Sequence, residues 1–154
     1  MKIEDEIKSK FRSEGHKLLV NLYLTSTRLS EAFHRECQKY DITSTQFNVL
    51  RILRGQGNKA VNISLIKERM IDRNSDMSRI IERLKKKGLI ACTSNQMDRR
   101  KKSVRISKEG LKLLNNMDKL EFHYQELFEH LTEAERIQLN LLLDKTRSGY
   151  KPRD

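Results

Sequence analysis

The chain has 154 residues, with 32 Lys and Arg against 21 Asp and Glu, a formal net charge of +11. Its length predicts one domain with a real hydrophobic core. The sequence has no long apolar run and a charged N-terminus, so we expect no membrane contact, no signal sequence and a cytoplasmic location. From Arg51 to Lys108 there are 17 basic and 5 acidic residues, a net charge of +12. Positive charge concentrated on one segment indicates a polyanionic partner, most often nucleic acid.

The first third of the chain has the apolar periodicity of helices. Residues 8–40 carry apolar side chains at helical spacing, which predicts one long amphipathic helix. Thr43 and Gln46 have the spacing of a capping box, and Ile42 and Phe47 occupy the positions of a hydrophobic staple. A second helix is therefore expected to begin after Thr43.

The next elements follow from turn and capping residues. The second helix is predicted to end at residues 55–57, Gly-Gln-Gly, and a short third helix follows Asn62. A turn at residues 71–74 leads to a fourth helix from Ser75 to Lys87, ended by Gly88.

Beyond Gly88 the period changes from helix to strand. Segments 89–94 and 103–107 alternate apolar and polar residues on either side of a polar loop, which predicts a β-hairpin. Ser107 is then expected to cap a long helix that runs towards His130, and a second capping box, Thr132 with Glu135, opens a final helix. Two short helices joined by a turn and followed by a hairpin form a winged helix-turn-helix.

The fourth helix carries the predicted base contacts. The N-terminal part of a recognition helix meets base edges, where Ser and Arg donate to acceptors in the groove. Asp76 could accept from cytosine, orient Arg79 or favour the positive end of the helix dipole. The candidate DNA-binding residues here are Arg73, Asn74, Ser75, Asp76, Ser78, Arg79 and Arg83.

The hairpin loop adds a second basic element. Four consecutive cations beside one acid repel one another unless they are solvated or held near phosphates, and a narrow minor groove attracts such side chains. The acid could brace a guanidinium in an extended pose. The candidate DNA-binding residues of this wing are Asp98, Arg99, Arg100, Lys101 and Lys102.

The long helix after Ser107 carries a heptad seam. Its apolar residues are spaced by four and three in alternation, and such a seam needs a partner surface. The partner is either the first helix of the same chain or a second copy. The seam consists of Leu113, Met117, Leu120, Tyr124, Leu127 and Leu131.

These segments together resemble the MarR family of bacterial transcriptional regulators. Arg83 to Leu89 matches the family's "RLxxKGL" ending of the recognition helix, and Asp98-Arg99-Arg100 matches its "DxR" wing. Ile106 to Gly110 resembles "LTxxG", with Ile and Ser in place of Leu and Thr, and Ile42 to Leu50 resembles "LTxxQfxvL". The chain departs from the pattern at Ile71, where the family often has glycine.

The resemblance implies a mainly α fold, in which a winged helix-turn-helix with a small β-hairpin wing is flanked by dimerisation helices. Residues 1–154 would form one domain, with dimerisation helices in 1–40 and 108–147, a DNA-binding lobe in 41–107 and a tail in 148–154. It also implies a homodimeric repressor of a pseudo-palindromic operator in double-stranded DNA, released by a small-molecule effector. Dimer residues would be the seam together with Ile137 and Leu141, and Tyr23, Arg28 and Phe47 would line the effector pocket.

Other chemistries have weaker support. Cys37 and Cys92 are isolated thiols, expected to be reduced, and a sensing role for either stays open. His123, Glu126 and His130 share a helix face, which is better explained as a solvated face than as a metal site. No catalytic motif is present, so we expect no enzyme, no catalytic residues, no metal and no cofactor. The alternative function is a winged-helix module that binds RNA or docks a protein.

Overall fold

The structure is a computed structural model, which describes residues 2–8, 10–57, 59–72, 74–94, 102–118 and 127–149. These residues are mainly helical, with a small antiparallel sheet, which confirms the predicted fold class. The elements in chain order are α1 (Ile3–Ile7), α2 (Glu14–Gln38), α3 (Ser44–Arg54), β1 (Val61–Asn62), α4 (Ile63–Arg69), α5 (Met77–Lys86), β2 (Ile90–Ser94), β3 (Lys102–Ile106), α6 (Lys108–Asp118) and α7 (Glu133–Gly149). The chain divides into two compact units, Met1–Leu113 and Leu114–Asp154.

The N-terminal helix begins later than predicted. Lys8 adopts a left-handed conformation, φ 48°, which ends the short helix α1. Helix α2 starts only where Ser13 supplies an N-cap, its hydroxyl accepting from the backbone N–H of His16 at 3.1 Å. The predicted single helix from residue 8 is therefore wrong at its start, because a residue outside the helical region interrupts the hydrogen-bond ladder.

Helix α3 lies at the centre of the core. Its capping box is confirmed: the Thr43 hydroxyl accepts from the Gln46 N–H at 3.1 Å, and the Thr43 N–H donates to the Gln46 side chain at 3.0 Å. Val49, Leu50 and Leu53 are completely buried. The helix ends at Gly55, as the sequence predicts.

Helix α5 packs on this core through Ile81 and Leu84, which are buried. It begins at Met77 rather than at the predicted Ser75, because Asp76 takes the N-cap position. Its end agrees with the prediction: Lys87 is the C-cap, and Gly88 follows in the left-handed conformation, φ 69°. Glycine adopts that conformation without steric cost.

The sheet has three strands in the order β1-β3-β2, all antiparallel. The predicted hairpin is confirmed to within one residue at each end, and its register runs from Ile90 opposite Ile106 to Ser94 opposite Lys102. Strand β1, which pairs Val61 with Val104, was not predicted, since two residues are too few to show a period.

The last two helices begin at the predicted caps. The Ser107 hydroxyl accepts from the Gly110 N–H at 3.0 Å at the start of α6. Thr132 and Glu135 form the second capping box, with hydrogen bonds of 2.8 and 3.3 Å between side chain and backbone. The predicted continuation of α6 through residues 119–126 lies outside the described residues. Within the described part of the chain, no helix combines the length and apolar character needed to cross a membrane.

Candidate nucleic-acid interface

Asp76 caps the N-terminal end of α5. Asp76 accepts from the Arg79 backbone N–H at 3.2 Å through Oδ1, and its Oδ2 lies 3.9 Å from the Arg79 Nε. The Asp76 and Arg79 side chains are 64% and 71% exposed. Asp76 thus caps the helix and faces the guanidinium at once, while Arg79 remains available to a partner. Two of the roles considered for Asp76, at the helix end and beside Arg79, are compatible with this geometry.

A second acid, Asp72, organises the turn before α5. Its Oδ1 accepts from the Asn74 backbone N–H at 3.0 Å, and its Oδ2 accepts from the Ser75 hydroxyl at 2.8 Å. Asp72 therefore sets the conformation of two candidate contact residues. Asp72 was not among the predicted site residues, although an Asp side chain that accepts from the backbone N–H two residues later is common in turns.

The solvent-facing side of α5 is polar and cationic. Ser78, Arg79 and Arg83 are exposed along it. Glu82 pairs with Lys86 at 3.0 Å, one turn further on, and this hydrogen bond holds the pKa of Glu82 below its ordinary value. The pairing partly neutralises Lys86, whereas Arg79, Arg83 and Lys85 are exposed cations along the helix.

A cleft of about 400 Å³ lies between the N-terminal ends of α3 and α5. Its lining includes His34, Thr45, Ser75, Arg79 and Arg83, and more of the exposed lining surface is apolar than polar. The α2 and α3 residues of this cleft were not among the predicted DNA contacts, because they are more than 25 positions from α5 in the sequence. The cleft therefore brings residues of α2 and α3 next to the start of α5.

The two strands of the wing, β2 and β3, are among the described residues. Lys102 begins β3 opposite Ser94, so the hairpin leads directly to the predicted basic loop. Arg73 of the turn and the loop residues Asp98, Arg99, Arg100 and Lys101 lie outside the described residues. Their assignment as DNA contacts stays a prediction.

The predicted dimer residues differ in exposure. Met117 is buried and Leu113 and Leu131 are half-buried, whereas Ile137 and Leu141 of α7 are 56% and 63% exposed. Leu127 is also exposed, and Leu120 and Tyr124 lie outside the described residues.

The three predicted effector residues each have a different environment. Tyr23 is 73% exposed, Arg28 forms an ion pair with Glu6 of α1, and Phe47 packs edge-on against Phe33 with ring centroids 5.1 Å apart. A groove of about 560 Å³ runs along α2 to Ser44, and its lining includes none of the three.

The cysteines differ in accessibility. Burial, with a smaller contribution from Glu36, raises the pKa of the Cys37 thiol to about 11. Cys37 is completely buried, and Cys92 is half-buried in β2. Among the described residues, no three His, Cys, Asp or Glu side chains are grouped so as to hold a metal ion.

Comparison with known proteins agrees with this architecture. The MarR family model matches residues 42–102. The HTH-type transcriptional repressor IacR of Pseudomonas putida is 30% identical over 118 residues, covering 76% of this chain and 70% of IacR. The HTH-type transcriptional regulator PecS of Dickeya dadantii is 25% identical over 124 residues, covering 78% and 74% of the two chains.

A solved structure extends the likeness to three dimensions. BpsR of Bordetella bronchiseptica, whose DNA binding is regulated by 6-hydroxynicotinic acid, has a TM-score of 0.74 and 29% identity. The match covers 85% of this chain and 98% of BpsR. The curated relatives are transcriptional regulators, which confirms the expectation of a non-enzymatic protein. The chain belongs to the MarR family of winged-helix transcriptional regulators.

Proposed function

We propose that this regulator is a homodimeric repressor, which binds an inverted repeat in double-stranded DNA and is released by a small-molecule effector. The observation that carries the proposal is the exposed polar face of α5, with its first turn fixed by Asp76 and the preceding turn fixed by Asp72. A capped helix with exposed cations, on the most basic part of the chain, suits a DNA groove. The protein would act in the cytoplasm, where bacterial DNA lies.

DNA recognition would divide between affinity and specificity. Lys and Arg side chains contacting phosphates would supply most of the affinity, in a salt-dependent way. Ser78 and Arg79, exposed near the start of α5, would read base edges, and a bidentate arginine on guanine would be the most selective contact. The wing arginines would enter the adjacent minor groove.

Dimerisation is supported by apolar side chains that the single chain leaves in water. Leu18, Leu19 and Tyr23 of α2 are exposed, and α7 exposes Ile137 and Leu141. Exposed apolar groups of this size are typical of surfaces that another chain covers. Residues 1–40 and 108–147 would form the dimer region and 41–107 the DNA-binding lobe, and the dimer would place two recognition helices about one DNA turn apart.

The proposals of repression and of release by an effector are supported by two relatives. IacR is a repressor, and the DNA binding of BpsR responds to 6-hydroxynicotinic acid. An effector that binds more tightly to a dimer geometry other than the DNA-bound one would shift the population towards that geometry and so release the DNA.

The test is selection of bound sequences from a random pool of duplex DNA, followed by sequencing, with the protein's mass in solution measured by sedimentation. Enrichment of an inverted repeat by a dimer would support the proposal. Salt-sensitive binding without an enriched sequence would contradict it and favour the RNA-binding or protein-docking alternative.

The role of the wing is tested by Arg100→Ala. This variant should weaken operator binding and leave the dimer intact, because the residue would contact DNA and not the second copy. Dissociation of the dimer would show that the wing assignment is wrong.

A further inference from the structure

One side-chain contact ties the end of the recognition helix to the turn between α2 and α3. Lys87, the C-cap of α5, donates from Nζ to the Asp41 carboxylate at 2.7 Å and also to the main-chain carbonyl of Asp41. The two residues are 46 positions apart in the sequence. The Asp41 side chain is 95% exposed and that of Lys87 is 32% exposed, so the carboxylate contact alone is a weak surface ion pair, and the main-chain carbonyl supplies a second acceptor that fixes the ammonium group on the turn.

The turn that holds Asp41 is itself well defined. Asp41 adopts a left-handed conformation, φ 54°, and its N–H donates to the Gln38 carbonyl at 3.0 Å. The next residue, Ile42, is buried and donates its N–H to the Cys37 carbonyl at 3.2 Å. Lys87 is therefore anchored to a turn whose backbone is fixed relative to α2.

The residue after Lys87 is anchored on a different element. The Gly88 carbonyl accepts from the Ser107 hydroxyl at 2.7 Å, and that hydroxyl also accepts from the first turn of α6. Two consecutive residues thus attach the C-terminal end of α5 to the α2–α3 turn and to the start of α6.

The other ion pairs of α5 do not connect it to another element. Asp76–Arg79 and Glu82–Lys86 both lie within the helix. Among ion pairs between described residues, Lys87–Asp41 connects α5 to another element. Since α5 is about 15 Å long at 1.5 Å per residue, a rotation of roughly 10° about this end would move its DNA-reading start by about 3 Å.

We propose that Asp41 and Lys87 are positioning residues for DNA recognition: their pairing sets the orientation of α5 relative to α2, and Lys87 is not primarily a phosphate ligand. The inference rests on the proposed DNA-binding function. Removal of an acidic side chain ordinarily strengthens DNA binding, because the protein becomes more positive. Removal of Asp41 should instead weaken it.

The experiment measures the affinity of the full-length protein for the operator obtained by selection, by fluorescence anisotropy at fixed salt. Asp41→Gly keeps a residue that tolerates the left-handed conformation and removes the carboxylate, and we expect affinity to fall about threefold or more. Asp41→Asn keeps an acceptor oxygen and should lie between the wild type and Asp41→Gly. Thermal melts would establish that each variant is folded.

Glu68→Gln is the matched control, since Glu68 is exposed on α4 in the same lobe and the variant removes the same charge. It should leave affinity unchanged or slightly higher. Lys87→Gln and the double variant Asp41→Gly/Lys87→Gln complete a double-mutant cycle. The double variant should bind DNA no more weakly than whichever single variant has the lower affinity.

Three results would overturn the inference: tighter binding by Asp41→Gly, an equal loss in Glu68→Gln, or additive losses in the double variant. The first would identify Lys87 as a phosphate ligand that Asp41 restrains, and the third would show that Asp41 and Lys87 affect binding independently of each other. A wild-type protein that selects no operator would count against the proposed function instead, so the two failures are distinguishable.

Discussion

Gly110 lies against the main-chain carbonyl of Leu89, so closely that a Cβ at Gly110 would stand 2.3 Å from that oxygen. The carbonyl cannot easily retreat, because it also accepts the Ser107 N–H at 3.1 Å. The Ile106 side chain would lie 2.9 Å from the same Cβ. The absence of a side chain at Gly110 therefore lets the first turn of α6 lie directly beside Leu89, which follows α5. The contact joins two motifs that are separate in the sequence, residues 83–89 and 106–110.

Gly110→Ala should lower the free energy of unfolding by about 1–3 kcal/mol, because the added methyl group overpacks a contact made by backbone atoms. Urea denaturation monitored by circular dichroism measures the change. Gly15→Ala is the control, since its Cβ would come no closer than 3.8 Å to the Ser13 hydroxyl. That variant should be as stable as the wild type or up to about 1 kcal/mol more stable. Equal losses in the two variants would contradict the close approach.

Asp76→Ala should reduce stability by about 1 kcal/mol, because the Arg79 N–H loses its capping acceptor. Asp76→Asn retains an oxygen acceptor and should be close to the wild type in the same urea titration. An equal loss for both variants would show that the carboxylate charge, and not the cap, stabilises the helix start.

Arg79→Ala should relax the preference for one base pair of the operator, with a loss of about 1–3 kcal/mol for the preferred base. Parallel selection experiments with wild type and variant reveal which position loses its preference. Lys85→Ala, near the other end of the helix, should instead weaken all sequences alike. Uniform weakening by Arg79→Ala would reassign Arg79 to a phosphate contact.

Cys37 should resist alkylation in the folded protein. With its pKa raised to about 11, the thiol is almost entirely protonated near neutral pH, and at pH 8 the thiolate is about one part in a thousand. Iodoacetamide at pH 8, followed by mass spectrometry, should modify the half-buried Cys92 first. In urea both cysteines should react at similar rates. Comparable rates for Cys37 and Cys92 in the native protein would contradict the burial and reopen a sensing role for Cys37.

Predictions from the sequence succeeded where the controlling interactions are local. Thr43 with Gln46, Thr132 with Glu135, and Gly88 all act within one turn of a helix end, so residue type and spacing indicate the structure. The break at Lys8 was missed, since an exposed lysine carries no signal for a left-handed conformation. The hairpin was found because its strands are long enough to alternate.

The distribution of charge, the order of the longer helices and hairpin strands, and the side chains exposed on α5 could all be predicted from the sequence, because they depend on composition and on spacings of a few residues. Three features depend on contacts between distant parts of the chain: the third strand at Val61, the ion pair of Lys87 with Asp41, and the approach of Gly110 to Leu89. These contacts join positions 21 to 46 residues apart, where no local periodicity specifies a partner. They form only when burial of the core around Leu50 and Leu84 brings the elements together.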